Sequence, residues 1–179
     1  MDKTLVIVDM QEFFTASYRS SVQEECMRLI KYFKRNKLPI IVLEYDGAIH
    51  GKTHQCLQNL FLNYPYVKIL KKRKDDGSDQ VHRFMRRGTW GITKRDEILI
   101  CGVNIRACVW ETTMGLLRRG YRVCAVQKAC NCIRGGNNKR TWADYPFGPM
   151  MYVESKVNES KVNTKNKKLK ENFKLIPHI

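Results

Sequence analysis

"ICGVNIRACVWETTMGLLRRGYRVCAV", residues 100–126, decides how the chain is read. An apolar run ends at Gly102-Val103, a short turn follows, and a helix begins near residue 106. Val109, Thr112, Thr113, Leu116 and Leu117 fall on one side of that helix, and Gly120 stops it. "YRVCAV" (121–126) is then a second short buried strand. Strand, helix and strand in such close order form a parallel crossover. Cys108 sits where the turn becomes helix. A cysteine there is either a small core residue or a thiol that the helix N-terminus activates.

The same alternation extends outward. "TLVIVDM" (4–10) reads as a buried strand that stops at Asp9. "SSVQEECMRLIKYFKRNK" (20–37) carries Val22, Cys26, Leu29, Ile30 and Phe33 at helical spacing, with Ser20 or Ser21 as its cap. "IIVLEY" (40–45) is the second strand, ending in an acidic cluster of Glu44 and Asp46. "HQCLQNLFLN" (54–63) reads as a helix, and "YVKIL" (66–70) as a third strand running into Lys71 and Lys72. "VHRFMRRG" (81–88) is a short helix, "EILICGV" (97–103) the fourth strand, and "GPMMYV" (148–153) a sixth. The expected fold is α/β: a three-layer Rossmann-like arrangement with a mostly parallel sheet of about six strands, covered by helices on both faces. Ligands of such sheets bind beyond the carboxyl ends of the strands. That edge gathers Asp9, the acidic cluster of Glu44 and Asp46, the lysine cluster of Lys71 and Lys72, and Cys108.

The chain has 179 residues, enough for one self-sufficient core. The texture changes after residue 153, so we divide it into a folded domain, 1–153, and a lysine-rich tail, 154–179. "ESKVN" repeats at 154–158 and 159–163 and "TKNKKLKENFK" follows, all poor in core residues. Seven cysteines at irregular positions do not form a secreted disulfide framework; free thiols in the cytoplasm fit them better. "MDKTLVIVDMQ" lacks the apolar region of a signal peptide, and no apolar run approaches the ~20 residues of a membrane span. The expectation is a soluble cytoplasmic protein with no membrane partner.

The net charge of +16 attracts nucleic acid and acidic metabolites. The charge is scattered, however: "RRG" at 86–88 and 118–120, "KKRK" at 71–74, and the C-terminal lysines. No nucleic-acid module accompanies it. Nucleic acid is therefore the less favoured partner, and a small molecule the favoured one.

A thiol acts as nucleophile once it is a thiolate, and nearby cations promote that form. Lys72 can supply the cation and Asp9 can take and return a proton. Backbone N–H groups around residues 104–108 can hold an oxyanion. Together these groups suit hydrolysis of an amide-like carbonyl.

"LVIVDMQEFF" (5–14), the lysine after strand three, and "ILICGVNIRACVWETTMGLLRRGYRVCAV" (98–126) together resemble the isochorismatase-like cysteine hydrolases. The resemblance spans roughly residues 4–130 and implies an Asp–Lys–Cys triad. Asp9 would be general acid/base, Cys108 the nucleophile and Lys72 the charge partner, with Lys71 and Lys74 as alternatives. It also implies a cis peptide at Val103–Asn104, which would aim the turn's amides at the oxyanion. Gln11, Phe13, Glu44 and Trp90 are the candidate pocket residues. Relatives commonly form homo-oligomers. Nicotinamidases of the family hold a metal through an Asp-x-His pair and a further histidine. Asp46, His50 and His54 occupy that region here, but no Asp-x-His occurs, so neither a metal nor another cofactor is expected. The substrate would be a small amide or carbamoyl compound, and the basic surface leans toward an anionic one. The alternative is a catalytically idle relative that binds nucleic acid or a protein through that surface.

Overall fold

The computed structural model describes residues 3–132 and 173–176. Six strands form one parallel sheet in the order β3-β2-β1-β4-β5-β6. In chain order they are β1 (Lys3–Val8), β2 (Ile40–Tyr45), β3 (Val67–Lys72), β4 (Glu97–Val103), β5 (Arg122–Asn131) and β6 (Phe173–Ile176). Four helices alternate with them: α1 (Ser20–Arg35), α2 (Gln55–Phe61), α3 (Ser78–Arg86) and α4 (Cys108–Arg118). Helix α1 packs with α2, and α3 packs with α4, so the sheet is flanked on both faces. This is the Rossmann-like α/β arrangement that the sequence implies.

The central strands are continuous apolar runs because both of their faces are covered. Leu5 to Val8, Ile40 to Leu43 and Ile98 to Cys101 are all buried. Helix α1 buries Val22, Cys26, Leu29, Ile30 and Phe33, the stripe its spacing specifies. It starts one residue earlier than a serine cap requires: Arg19 is the cap and makes no side-chain cap bond. Lys34 and Arg35 lie in its last turn, where the helix dipole favours cations.

Two elements depart from the sequence reading. Strand β5 runs on to Asn131 across a register shift against β4 between Ile100 and Gly102. The sixth strand comes from Phe173–Ile176, inside the lysine-rich C-terminal stretch, and pairs in parallel with β5. The strand expected at 148–153 lies outside the described residues. No helix of the described residues is long and apolar enough to cross a membrane.

The strand order reverses between β1 and β4. Successive strands run outward from β1 on one side, and β4 begins the other side. Such a switch point opens a crevice at the carboxyl ends. Gly102 makes this junction possible. It adopts φ 125°, and a Cβ on it would lie 2.0 Å from the Val8 carbonyl oxygen. Only glycine fits there.

Candidate active site

Asp9 follows β1 directly, and Cys108 opens α4 just after β4, so the two sit on either side of the switch point. Asp9 takes a positive φ of 52°, a backbone strain tolerated by aspartate better than by most residues. Its amide donates to the Leu43 carbonyl at 3.0 Å, which anchors it to β2. Lys72, the last residue of β3, reaches across β2 to the same place. Its Nζ lies 2.9 Å from Asp9 Oδ2, with both side chains fully buried. The ammonium also donates to the Lys74 carbonyl at 3.0 Å and lies 4.3 Å from the centre of the Tyr45 ring.

The parity of β3 separates the lysines. Lys71 points to the opposite face and pairs with Glu44 Oε2 at 2.6 Å. Lys74 offers only its carbonyl to this cluster. Lys72 is therefore the lysine that meets Asp9.

Cys108 is buried beside the Asp9 carboxylate. Its Sγ also lies 3.4 Å from Asp75 Oδ1. Burial pushes the thiol well above the ordinary thiol range, the Asp9 charge pushes it further, and Lys72 opposes both. Asp9 is likewise raised by burial, and Lys72 and Cys108 pull it back only part of the way. Burial and the Asp9 charge thus outweigh the lowering that a helix N-terminus and a lysine suggest. The Asp9 carboxylate lies against the sulfur, and both side chains are buried.

The turn before α4 holds its own shape. The amides of Ala107 and Val109 both donate to the Asn104 carbonyl, at 2.9 and 3.2 Å. The Ile105 amide donates to the Asn131 carbonyl at 3.2 Å, which ties the turn to the end of β5. The peptide between Val103 and Asn104 is trans, as are all peptides of the described residues. This corrects the expected cis bond: the chain turns instead through a positive φ of 64° at Asn104, a residue type that tolerates it.

The remaining pocket candidates are dispersed. The Gln11 amide is consumed by backbone: Nε2 donates to the carbonyls of Tyr45, His50 and Gly51, and Oε1 accepts the Tyr45 amide at 2.6 Å. Glu44 accepts both the Thr53 amide and the Thr53 hydroxyl, at 2.9 and 2.7 Å. Burial alone would raise this carboxyl, but Lys71 and Thr53 outweigh it and hold it below the usual carboxylate range. Both side chains thus fasten the segment 45–53 over the sheet edge. Phe13 is exposed and lies edge-on to His50. Trp90 packs against Phe84 and Tyr66. Tyr66 precedes β3, so Trp90 lies at the opposite end of the sheet from Cys108.

Among the described residues, no group of three His, Cys, Asp or Glu side chains converges to hold a metal ion. Asp46 pairs with Arg73 at 2.9 Å, His54 meets the Ser17 hydroxyl at 2.6 Å, and His50 is enclosed by Phe13, Phe14 and Tyr45.

Sequence reasoning missed two neighbours of the Asp9–Lys72–Cys108 cluster. Tyr45 closes over Lys72 from the end of β2, and its place beside the acidic pair gave the only hint of this. Asp75 stands in "KKRKDDG", which reads as a solvated charge run. Only the fold brings it to the sulfur.

The isochorismatase domain model matches residues 3–143. A secreted isochorismatase effector of Phytophthora sojae is 28% identical over 127 residues, covering 70% of this chain. The chain spans 60% of that relative's length. The MAR1 ribonuclease of Caenorhabditis elegans has the same fold, with a TM-score of 0.64 at 22% identity over 78% of this chain and 68% of that one. So does N-carbamoylsarcosine amidase of Thermoplasma acidophilum, with a TM-score of 0.60 at 19% identity over 73% of this chain and 84% of that one.

Proposed function

The chain belongs to the isochorismatase domain family, and from that membership we propose that it is a cysteine hydrolase cleaving a C–N bond of a small amide or carbamoyl compound. The observation that carries the proposal is the buried Lys72–Asp9 pair, 2.9 Å apart, beside the Cys108 thiol at the switch point. Buried ion pairs are costly to maintain. One set against a cysteine fits catalysis better than packing. The likeness to an amidase of the same fold supports the bond type.

In this reading Asp9 removes the Cys108 proton as the sulfur attacks the substrate carbonyl carbon. Lys72 remains charged and keeps Asp9 ionised in a site whose burial favours the neutral acid. The oxyanion forms against the turn 104–108, where the Cys108 amide lies between two amides committed to Asn104. Asp9 returns the proton to the leaving nitrogen, the C–N bond breaks, and a thioester remains. Water enters, Asp9 takes its proton, and the hydroxide carbon–oxygen bond forms as the carbon–sulfur bond breaks. The acid is released, and the thiol recovers its proton from Asp9.

The test is a screen of small primary amides and carbamoyl compounds with wild type and Cys108→Ala. The expected result is turnover lost in the variant with an unchanged fold, and a trapped acyl adduct on the Cys108 peptide in wild type. Turnover that survives in Cys108→Ala would refute the nucleophile.

A second reading is favoured by one observation. A groove of about 260 Å³ between β3 and α3 is lined by Lys68, Lys71, Arg83 and Arg87. It suits a polyanion, in line with the net charge of +16. Binding of a single-stranded oligonucleotide that weakens steeply with salt, and is lost in Lys68→Glu/Arg87→Glu, would favour this reading. Binding that ignores either change would end it.

A further inference from the structure

We infer that Asp75 is a specificity-determining residue that makes the mouth of the Cys108 site select substrates with a cationic or strongly N–H-donating group next to the scissile carbonyl. The inference rests on the hydrolase reading and goes beyond it, because it assigns the substrate's charge. It also runs opposite to the expectation drawn from the overall net charge.

The argument begins with position. Asp75 is exposed, Cys108 is buried, and Asp75 Oδ1 lies 3.4 Å from Cys108 Sγ. Asp75 therefore carries a carboxylate from the exposed loop to the buried sulfur. The loop holds it there: the Thr112 hydroxyl donates to the Asp75 carbonyl at 3.3 Å, and the Gly77 amide donates to the same hydroxyl at 3.0 Å. Thr112 stands on α4, the helix that begins with Cys108, so loop and nucleophile move together.

Charge completes the argument. No cation of the described residues pairs with Asp75 within 4.0 Å. Arg73 is committed to Asp46, and Lys72 lies beneath with Asp9. Asp9 and Lys72 cancel each other. With a protonated thiol, Asp75 leaves the cluster with one net negative charge. Transfer of the thiol proton to Asp9 does not change that sum. The nucleophile therefore works beneath a local negative charge in a chain of net +16. At contact distance and a surface-like dielectric, one unit charge is enough to favour a cation over an anion by about tenfold or more.

The experiment compares two methanethiosulfonates of similar size, the 2-(trimethylammonium)ethyl cation and the 2-sulfonatoethyl anion, on the full chain. The Cys108 sulfur attacks the sulfenyl sulfur, a disulfide forms, methanesulfinate leaves with the bonding pair, and the thiol proton passes to Asp9 or solvent. Labelling rates are read by peptide mass spectrometry at Cys108 and at Cys56, a partly exposed thiol that reports the field of the whole chain. The expected cation-to-anion rate ratio is about tenfold higher at Cys108 than at Cys56. Asp75→Asn should remove most of that preference, and Asp75→Glu should keep it. Equal ratios at the two cysteines, or a preference unchanged in Asp75→Asn, would overturn the inference and leave the hydrolase reading standing. A Cys108 that stays inert to both reagents even at a pH where its thiolate forms, while Cys56 reacts, would overturn both.

Discussion

Lys72 Nζ and Asp9 Oδ2 are 2.9 Å apart, and neither side chain has any exposed surface. Removing one partner from such a pair strands a charge in the interior. Lys72→Met and Asp9→Asn should each destabilise the fold by about 3–5 kcal/mol, while the double variant should lose far less than the sum. Urea denaturation of the four proteins measures this coupling directly, and strict additivity would mean that the pair is not an energetic unit.

Burial raises Asp9 above the ordinary carboxylate range despite Lys72. As a base it works only when ionised, so the acid limb of kcat/KM should fall at a pH above the ~4 typical of aspartate. For stability the sign is the reverse. The folded state holds the Asp9 proton more tightly than the unfolded chain does, so this group's contribution declines as pH rises through the window above ~4. A pH–rate profile with an acid limb at or below 4 would exclude Asp9 as the base.

The Cys108 thiol is raised by burial first and by the Asp9 charge second, and is lowered by Lys72. The iodoacetamide labelling inflection of Cys108 should therefore lie above the usual thiol range in wild type. It should move down in Asp9→Asn and further up in Lys72→Met. Identical inflections in the three proteins would show that the cluster does not control the sulfur.

Glu44 is held below the usual carboxylate range by Lys71 and Thr53 against the effect of burial. Its stabilising contribution is fully present above ~4.3 and is lost as pH falls through the depressed folded value. Wild type should lose stability on acidification more steeply than Glu44→Gln. The variant should also release the segment 45–53, with faster amide exchange at Thr53, which donates its N–H to Glu44.

Gly77 sits against the site from the other side. A Cβ there would lie 2.5 Å from Leu43 Cδ1 and 3.0 Å from Lys72 Cδ. Gly77→Ala should cost about 1–3 kcal/mol through overpacking and should lower turnover more than substrate affinity, because it displaces the lysine stem. Unchanged kcat would show that the stem has room to move.

The local code was strong where both faces of an element are buried. Continuous apolar runs marked β1, β2 and β4, and the helical stripe of α1 matches its buried residues one for one. Glu97–Val103 was legible to the residue. The sixth strand was not, because Phe173–Ile176 is short, sits among lysines, and becomes a strand only by pairing with β5. Trp90, a candidate pocket wall, precedes β4 and packs against Tyr66 and Phe84 at the amino end of the sheet, away from Cys108.

The sequence by itself determined the parallel α/β architecture, the strand ends that carry Asp9 and Cys108, and the family. The first two rest on periodicity and on short-range turns, which a chain carries locally, and the family on the motif resemblance of residues 5–14 and 98–126. Tertiary structure decided the rest. Side chains alternate across a strand, so only the register of β3 could show that Lys72 meets Asp9 while Lys71 turns to Glu44. Only packing could set the depth at which Cys108 lies, and that depth pushes its thiol above the ordinary range beside the Asp9 carboxylate. Charge counted along a chain says nothing of charge at a point, and the fold alone brought the Asp75 carboxylate to the sulfur of so basic a protein.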